Sequence, residues 1–124
     1  MKTITEEEMN KYLVSIGGLE NGYFTDRSKL MDCGFMEVNK GWYGLIKSCI
    51  EEMIAAGWNK QVCQIKEKFA GLRFYTGGCT DEQHKIINKY EKLSEKTCEN
   101  CGKPGEIILK SGWFRCECET CKKL

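Results

Sequence analysis

Two C-x-x-C pairs, Cys98/Cys101 and Cys118/Cys121, lie sixteen residues apart near the end of this sequence, and they constrain its fold more than any other feature. A two-residue gap lets two thiolates converge on one ion from a single tight knuckle, and the spacing between the pairs falls in the pattern of four-cysteine zinc sites. Gly102, directly after the first pair, permits the backbone to turn there. The intervening stretch accommodates one short hairpin, with Ile107, Ile108 and Leu109 as one arm, Lys110, Ser111 and Gly112 as the turn, and Trp113, Phe114 and Arg115 as the return. Together these elements predict a zinc ribbon over residues 98–124, with Zn2+ held by Cys98, Cys101, Cys118 and Cys121.

Other chemistries of cysteine fit less well. A thioredoxin-like redox pair uses one C-x-x-C at the start of a helix, whereas here each pair has a matching second pair. A zinc deaminase needs a His-x-Glu segment, and the single histidine, His84, is followed by Lys85 and Ile86. Cys116 competes with Cys118 as the third ligand, but the gap from Cys118 to Cys121 mirrors the first knuckle. The chain has nine cysteines, an odd number, and its first residues run into Glu6, Glu7 and Glu8 with no apolar leader. This predicts a reducing, cytoplasmic setting with the five remaining cysteines as thiols. No apolar run is long enough to cross a membrane.

At 124 residues and 41% hydrophobic, the chain can bury one modest core beside a metal-stapled appendage. Residues 1–84 hold ten basic and twelve acidic side chains, and residues 85–124 hold nine and six. That mild asymmetry does not make a polybasic nucleic-acid surface, because four thiolates on one divalent ion add about −2 to the C-terminal third.

Helical signals fall in three places. Thr5 and Glu8 form a capping box ahead of a stripe at Met9, Tyr12, Leu13 and Ile16, which predicts a helix over residues 6–16. Trp42, Leu45, Ile46, Cys49, Ile50, Met53 and Ile54 repeat at three and four and stop at Gly57, the mark of a core helix. Thr80 and Gln83 form a second capping box before Ile86, Ile87, Tyr90 and Leu93, giving a third helix that leads to Cys98. Residues 17–41 show no sustained period and predict an ordered loop with a short strand near Phe35.

Residues 62–76 switch to alternation, which predicts a β-hairpin with Ala70 and Gly71 as its loop. In that register Phe69 faces Leu72, Lys68 faces Arg73 and Lys66 faces Tyr75. Cys63, Ile65, Phe69, Leu72 and Phe74 then share the core face, and Gln64, Lys66, Lys68, Arg73 and Tyr75 share the other. Glu67 falls on the apolar face, where an ion pair or a hydrogen bond to the loop before Gly41 would satisfy it.

The segment Gln64-Ile65-Lys66-Glu67-Lys68-Phe69-Ala70-Gly71-Leu72-Arg73-Phe74-Tyr75 resembles a motif, roughly V-K-E-K-F-G-x-L-R-F-Y, of small uncharacterised phage, prophage and bacterial proteins. In that family a helix leads to a C-x-x-C-G knuckle and a G-W-I-R-x-L-C-x-x-H ending, with which Gly112-Trp113-Phe114-Arg115, Cys118 and Cys121 align. The resemblance spans about residues 42–121. This chain has cysteine at 121 where the family often has histidine, and Ala70 where glycine is usual. The resemblance implies a zinc ribbon and a phage setting, and it supports Cys118 as a ligand.

The expected fold class is therefore α+β, a helix–helix–β-hairpin–helix core over residues 1–80, a connecting helix over residues 81–97 and the ribbon over residues 98–124. A closed four-cysteine site leaves no open metal position for catalysis, so the chain reads as a non-catalytic binding protein. A protein partner of host or phage, engaged as a regulator or inhibitor of host machinery including its defences, fits the near-zero charge and the aromatics Trp113, Phe114, Tyr23 and Phe24. The alternative is nucleic acid, bound through Lys66, Lys68, Arg73 and Tyr75. The expected contact residues are Lys66, Lys68, Arg73, Tyr75 and Trp113.

Overall fold

A computed structural model describes residues 3–21 and 36–124. The proposed anchors Tyr23 and Phe24 lie outside the described residues. Helix α1 (Glu6–Ser15) begins where the capping box predicts. Thr5 Oγ1 accepts from the Glu8 N–H at 3.1 Å, and the Glu8 carboxylate reaches back to the Thr5 N–H. Strands β1 (Glu20–Asn21) and β2 (Met36–Glu37) follow, β2 falling one residue beyond the expected position near Phe35. A 3-10 turn at Lys40–Trp42 then leads into α2 (Tyr43–Ala55). The hairpin strands β3 (Gln61–Lys68) and β4 (Gly71–Thr76) precede α3 (Asp81–Ser94), whose N-cap is Thr80 with Gln83 completing the box. The ribbon contributes β5 (Glu106–Lys110) and β6 (Trp113–Glu117). Among the described residues the result is α+β, three α-helices with two small sheets. No helix among the described residues is long and apolar enough to cross a membrane.

β3 is the centre of the larger sheet. β4 pairs with it antiparallel, while β1 and β2 both pair with it parallel at successive positions, Glu20 with Gln61 and Met36 with Ile65. Leu45, Ile46, Cys49, Ile50 and Met53 of α2 meet Met9 and Leu13 of α1, Ile87 and Tyr90 of α3, and Val62, Ile65, Leu72 and Phe74 of the hairpin in one buried cluster. Helix α3 also seals the outer edge of β4. Ser94 Oγ accepts from the Leu72 N–H at 2.8 Å and the Glu91 carboxylate accepts from the Phe74 N–H at 2.9 Å, so the strand's free donors meet side chains of the helix.

The hairpin differs from the expected register. Its loop is Phe69-Ala70, with Lys68 opposite Gly71, Lys66 opposite Arg73 and Gln64 opposite Tyr75. Phe69 and Ala70 hold φ of 53° and 66°, the positive values at both central residues that define a type I′ turn. The Glu67 carboxylate holds this turn by accepting the Ala70 N–H at 2.8 Å, an interaction inside its own hairpin instead of with the loop before Gly41. Moving the loop back by one residue on each strand preserves parity, so Lys66, Lys68, Arg73 and Tyr75 still share one face. Two residues leave the core face. Phe69 is 67% exposed at the tip, and Cys63 falls at a bulge where the register shifts, leaving Val62 to fill the interior.

Candidate metal centre

The two knuckles are built from local backbone geometry. In the first, the Gly102 N–H donates to Cys98 O at 2.9 Å and Gly102 takes φ of 82°, the turn that glycine permits. In the second, the Lys122 N–H donates to Cys118 O at 3.0 Å and the Cys121 N–H approaches Cys118 Sγ at 3.4 Å. The hairpin between them closes through Ser111 and Gly112, at φ of 52° and 83°, with Lys110 opposite Trp113. Folding this hairpin brings the second knuckle onto the first.

The sulfurs of Cys98, Cys101, Cys118 and Cys121 then all lie within 4.8 Å of one another, and Cys101 and Cys118 are 3.5 Å apart. A metal–sulfur bond of about 2.3 Å in a tetrahedron gives sulfur–sulfur edges of about 3.8 Å. The cluster fits that size, so these four cysteines can hold one metal ion. Before metal arrives the thiols differ in acidity. N–H donation from Cys121, with the thiols of Cys101 and Cys121 adding to it, pulls Cys118 down to about 6. Burial, followed by the neighbouring sulfurs, pushes Cys121 up to about 12. Thiolates are the form that ligates metal, so a cation bound here would displace the thiol protons.

Cys116 sits elsewhere. It belongs to the main core, fully buried, where its Sγ donates to Glu95 O at 3.3 Å. β6 ends at Glu117, and Cys118 beyond it joins the four-cysteine cluster while Cys116 stays in the main core; desolvation pushes the Cys116 thiol up to about 12.

A layer of charge lies beneath the knuckles. Glu99 and Glu117 are buried, and Arg115 bridges them at 3.3 Å and 3.9 Å. Lys110 adds a 3.1 Å pair to Glu117. Burial raises the Glu99 pKa, against the lowering effect of the Cys116 N–H and the Arg115 guanidinium. Sequence reading missed both carboxylates, because C-E-N-C and C-E-C read as ordinary polar knuckle residues. The knuckle also grips the rest of the molecule. The Glu99 backbone accepts from the Gly41 N–H at 2.9 Å, and Trp42 Nε1 donates to Thr97 O at 2.9 Å.

The expected contact residues separate into two groups. Lys66, Arg73 and Tyr75 lie on the outer face of the larger sheet, and among the described residues neither Lys66 nor Arg73 has an acidic partner within ion-pair distance. Lys68, at the turn end of that same face, and Trp113 lie at the hairpin tips. Phe69 and Phe114 meet edge to face with centroids 6.5 Å apart, and Lys68 Nζ stands 5.8 Å over the Phe69 ring. Trp113 is 73% and Phe114 50% exposed. These tips flank a groove of about 410 Å3 whose lining also includes Glu67, Glu99 and Arg115. Phe69 was missed as a surface residue because its position depends on the turn. His84 is exposed, as its place in the first turn of α3 implies, with Nδ1 3.3 Å from Cys79 Sγ. No family model, curated protein sequence or solved structure matches this chain.

Proposed function

We propose that this chain is a non-catalytic zinc-binding protein that docks on another protein through the tips of its two hairpins. The observation that carries this reading is the pairing of Phe69 with Phe114 beside Trp113, three large aromatic rings left exposed at one end of the molecule. A Phe-Ala pair at positive φ is a costly choice for a type I′ turn, where Asn-Gly is favoured. Unfavourable backbone retained at an exposed aromatic tip is the pattern of a contact site. Rigid aromatic anchors are the side chains that dominate protein interfaces. The likeness of residues 64–75 to phage and prophage proteins makes a bacterial host protein, or one of the phage itself, the expected partner.

Zinc is the metal assigned to the four thiolates. It accepts tetrahedral sulfur coordination without redox chemistry, and four cysteines fill every position, leaving none for substrate. Its role here is to hold β5 and β6 in place so that Trp113 and Phe114 are presented beside Phe69. One zinc per chain by elemental analysis is the expected stoichiometry.

The test is capture from bacterial lysate on immobilised zinc-loaded protein, comparing wild type with the double variant Trp113→Ala/Phe114→Ala. A defined protein retained through nuclease treatment and lost in the variant, with zinc content unchanged, supports the reading. Retention by both would place the contact elsewhere.

A nucleic-acid reading rests on one further observation: Lys66 stands directly opposite Arg73, a like-charge pair that an anionic ligand would relieve. Lys66→Glu/Arg73→Glu should then abolish a nuclease-sensitive, salt-sensitive interaction while hardly changing stability.

A further inference from the structure

We propose that β5 is the pairing edge of a two-fold symmetric dimer, in which two copies of this chain join their ribbons into one four-stranded sheet. The edges of β3, β4 and β6 are covered. β3 carries β4 on one side and β1 and β2 on the other. The outer edge of β4 is sealed by Ser94 and Glu91. On β6, the Cys116 C=O accepts from the Glu99 N–H at 2.9 Å, and its N–H donates to the Glu99 carboxylate at 3.4 Å. The outer edge of β5 has no such cover among the described residues.

Register shows which groups it leaves free. Lys110 and Trp113 close a two-residue turn, so they exchange hydrogen bonds, as do Ile108 with Arg115 and Glu106 with Glu117. Ile107 and Leu109 alternate with them and point their N–H and C=O outward. The partners of Cys116, which stands opposite Ile107, confirm this parity, because its own groups point away from β5. The free backbone groups are flanked by apolar side chains, Ile107 at 43% and Leu109 at 67% exposure. An uncovered apolar edge of this kind templates strand addition.

The sequence of β5, Glu106-Ile107-Ile108-Leu109-Lys110, is complementary to itself when run antiparallel. With Ile108 on the two-fold axis, Ile107 faces Leu109 of the second copy, and both present outward hydrogen-bonding groups. Four backbone hydrogen bonds form, two for each Ile107–Leu109 pair. Glu106 then faces Lys110 of the second copy at both ends, so opposite charges meet across the seam. Within one copy Glu106 already pairs with Lys122 at 3.2 Å and Lys110 with Glu117 at 3.1 Å. The seam therefore joins two intrachain pairs into a run of alternating charge. A shift by one residue would set outward groups against inward ones, and a shift by two would remove the charge match.

The zinc-loaded full chain should sediment at twice the 14.2 kDa of the monomer at high micromolar concentration. Ile107→Pro removes only an N–H that has no partner within one copy, a substitution tolerated on strand edges. It should return the mass to that of the monomer with zinc content unchanged. Register is read by disulfide trapping. Ile108 faces itself in a pair without mutual hydrogen bonds, with α-carbons about 4.5 Å apart, inside the span a disulfide bridges. Mild oxidation should convert Ile108→Cys to a covalent dimer, and should leave wild type and Ile107→Cys without one. The trapping decides the register even if proline disturbs the ribbon. A wild-type chain that stays monomeric to its solubility limit overturns the proposal, as does a dimer that Ile107→Cys traps as readily as Ile108→Cys.

Discussion

Gly41 packs closely against the backbone of the first knuckle, and Gly41→Ala tests that contact. A methyl group there would lie 2.3 Å from the Glu99 carbonyl carbon, 2.4 Å from Cys98 O and 2.5 Å from Glu99 O. Ordinary contacts between heavy atoms fall at about 3.5–4.0 Å. All three neighbours are backbone, so no rotamer change relieves the clash, and the knuckle must move by about an ångström. Gly41 does not occupy the left-handed region. On backbone preference alone, alanine would therefore stabilise the protein by about 0.4–1 kcal/mol. Sterics reverse that sign. Overpacking costs about 1–3 kcal/mol, and loss of the Gly41 to Glu99 hydrogen bond adds about 1 kcal/mol. The expected destabilisation is about 2–4 kcal/mol, read from urea unfolding of the zinc-loaded protein. The displaced Cys98 carbonyl also anchors the Gly102 N–H, so part of the cost should appear in the metal equilibrium. If about 2 kcal/mol appears there, zinc affinity falls roughly thirtyfold in competition with a chromophoric chelator. Gly57→Ala serves as the control. Its methyl would meet nothing within 4 Å, but its φ is 86°, so it should cost about 1 kcal/mol through the backbone alone and leave zinc affinity unchanged. A Gly41→Ala protein as stable as wild type would refute the packing of the knuckle on residue 41.

Cys118→Ser should lose the metal, whereas Cys116→Ser should keep one zinc per chain and lose about 1–2 kcal/mol of stability through its buried site; zinc assay and urea unfolding separate the two. Chelation should remove the support of Trp42 as well as unravel the knuckles, because its indole donates to Thr97 immediately before Cys98. The expected readout is a red shift of tryptophan emission, and no shift would mean that the α2 region stands without the ribbon. Acid should expose the Glu52 cluster, where hydrogen bonds from Lys89 and Tyr90 hold the Glu52 carboxyl below its ordinary 4.5. A depressed pKa stabilises the fold above the unfolded value and ceases to do so as pH falls through the folded one. The stability gap between wild type and Glu52→Gln should therefore be small, under about 1 kcal/mol for so exposed a group, and should close below pH 4.5 in unfolding curves measured against pH.

Local signals carried most of what the sequence revealed. Both capping boxes act over three residues, and both begin their helices at Thr5 and Thr80 as read. The stripe of α2 and the pairing of the two knuckles likewise depend on short spacing. What the sequence concealed is set by contacts between distant segments. Leu93 extends the apolar period of α3, yet it stays 40% exposed, and Ser94 is fully buried because β4 needs its hydroxyl. The turn at Phe69-Ala70 defeated propensity, since Gly71 is the residue that ordinarily takes positive φ. Glu99 and Glu117 gave no sign of burial, because Arg115 and Lys110 reach them only after the ribbon folds.

The seal on β4 has a consequence in time. Thr76 ends the hairpin, but Glu91 and Ser94, which satisfy its edge, lie fifteen and eighteen residues further along the chain. At roughly 5–20 residues per second, synthesis leaves this strand complete but unsealed for about one to four seconds. During that interval, once the hairpin has emerged, the nascent chain carries an open edge bearing Leu72 and Phe74. A truncation that ends between Thr76 and Glu91 should therefore accumulate as aggregate, even though every strand of the larger sheet is present in it.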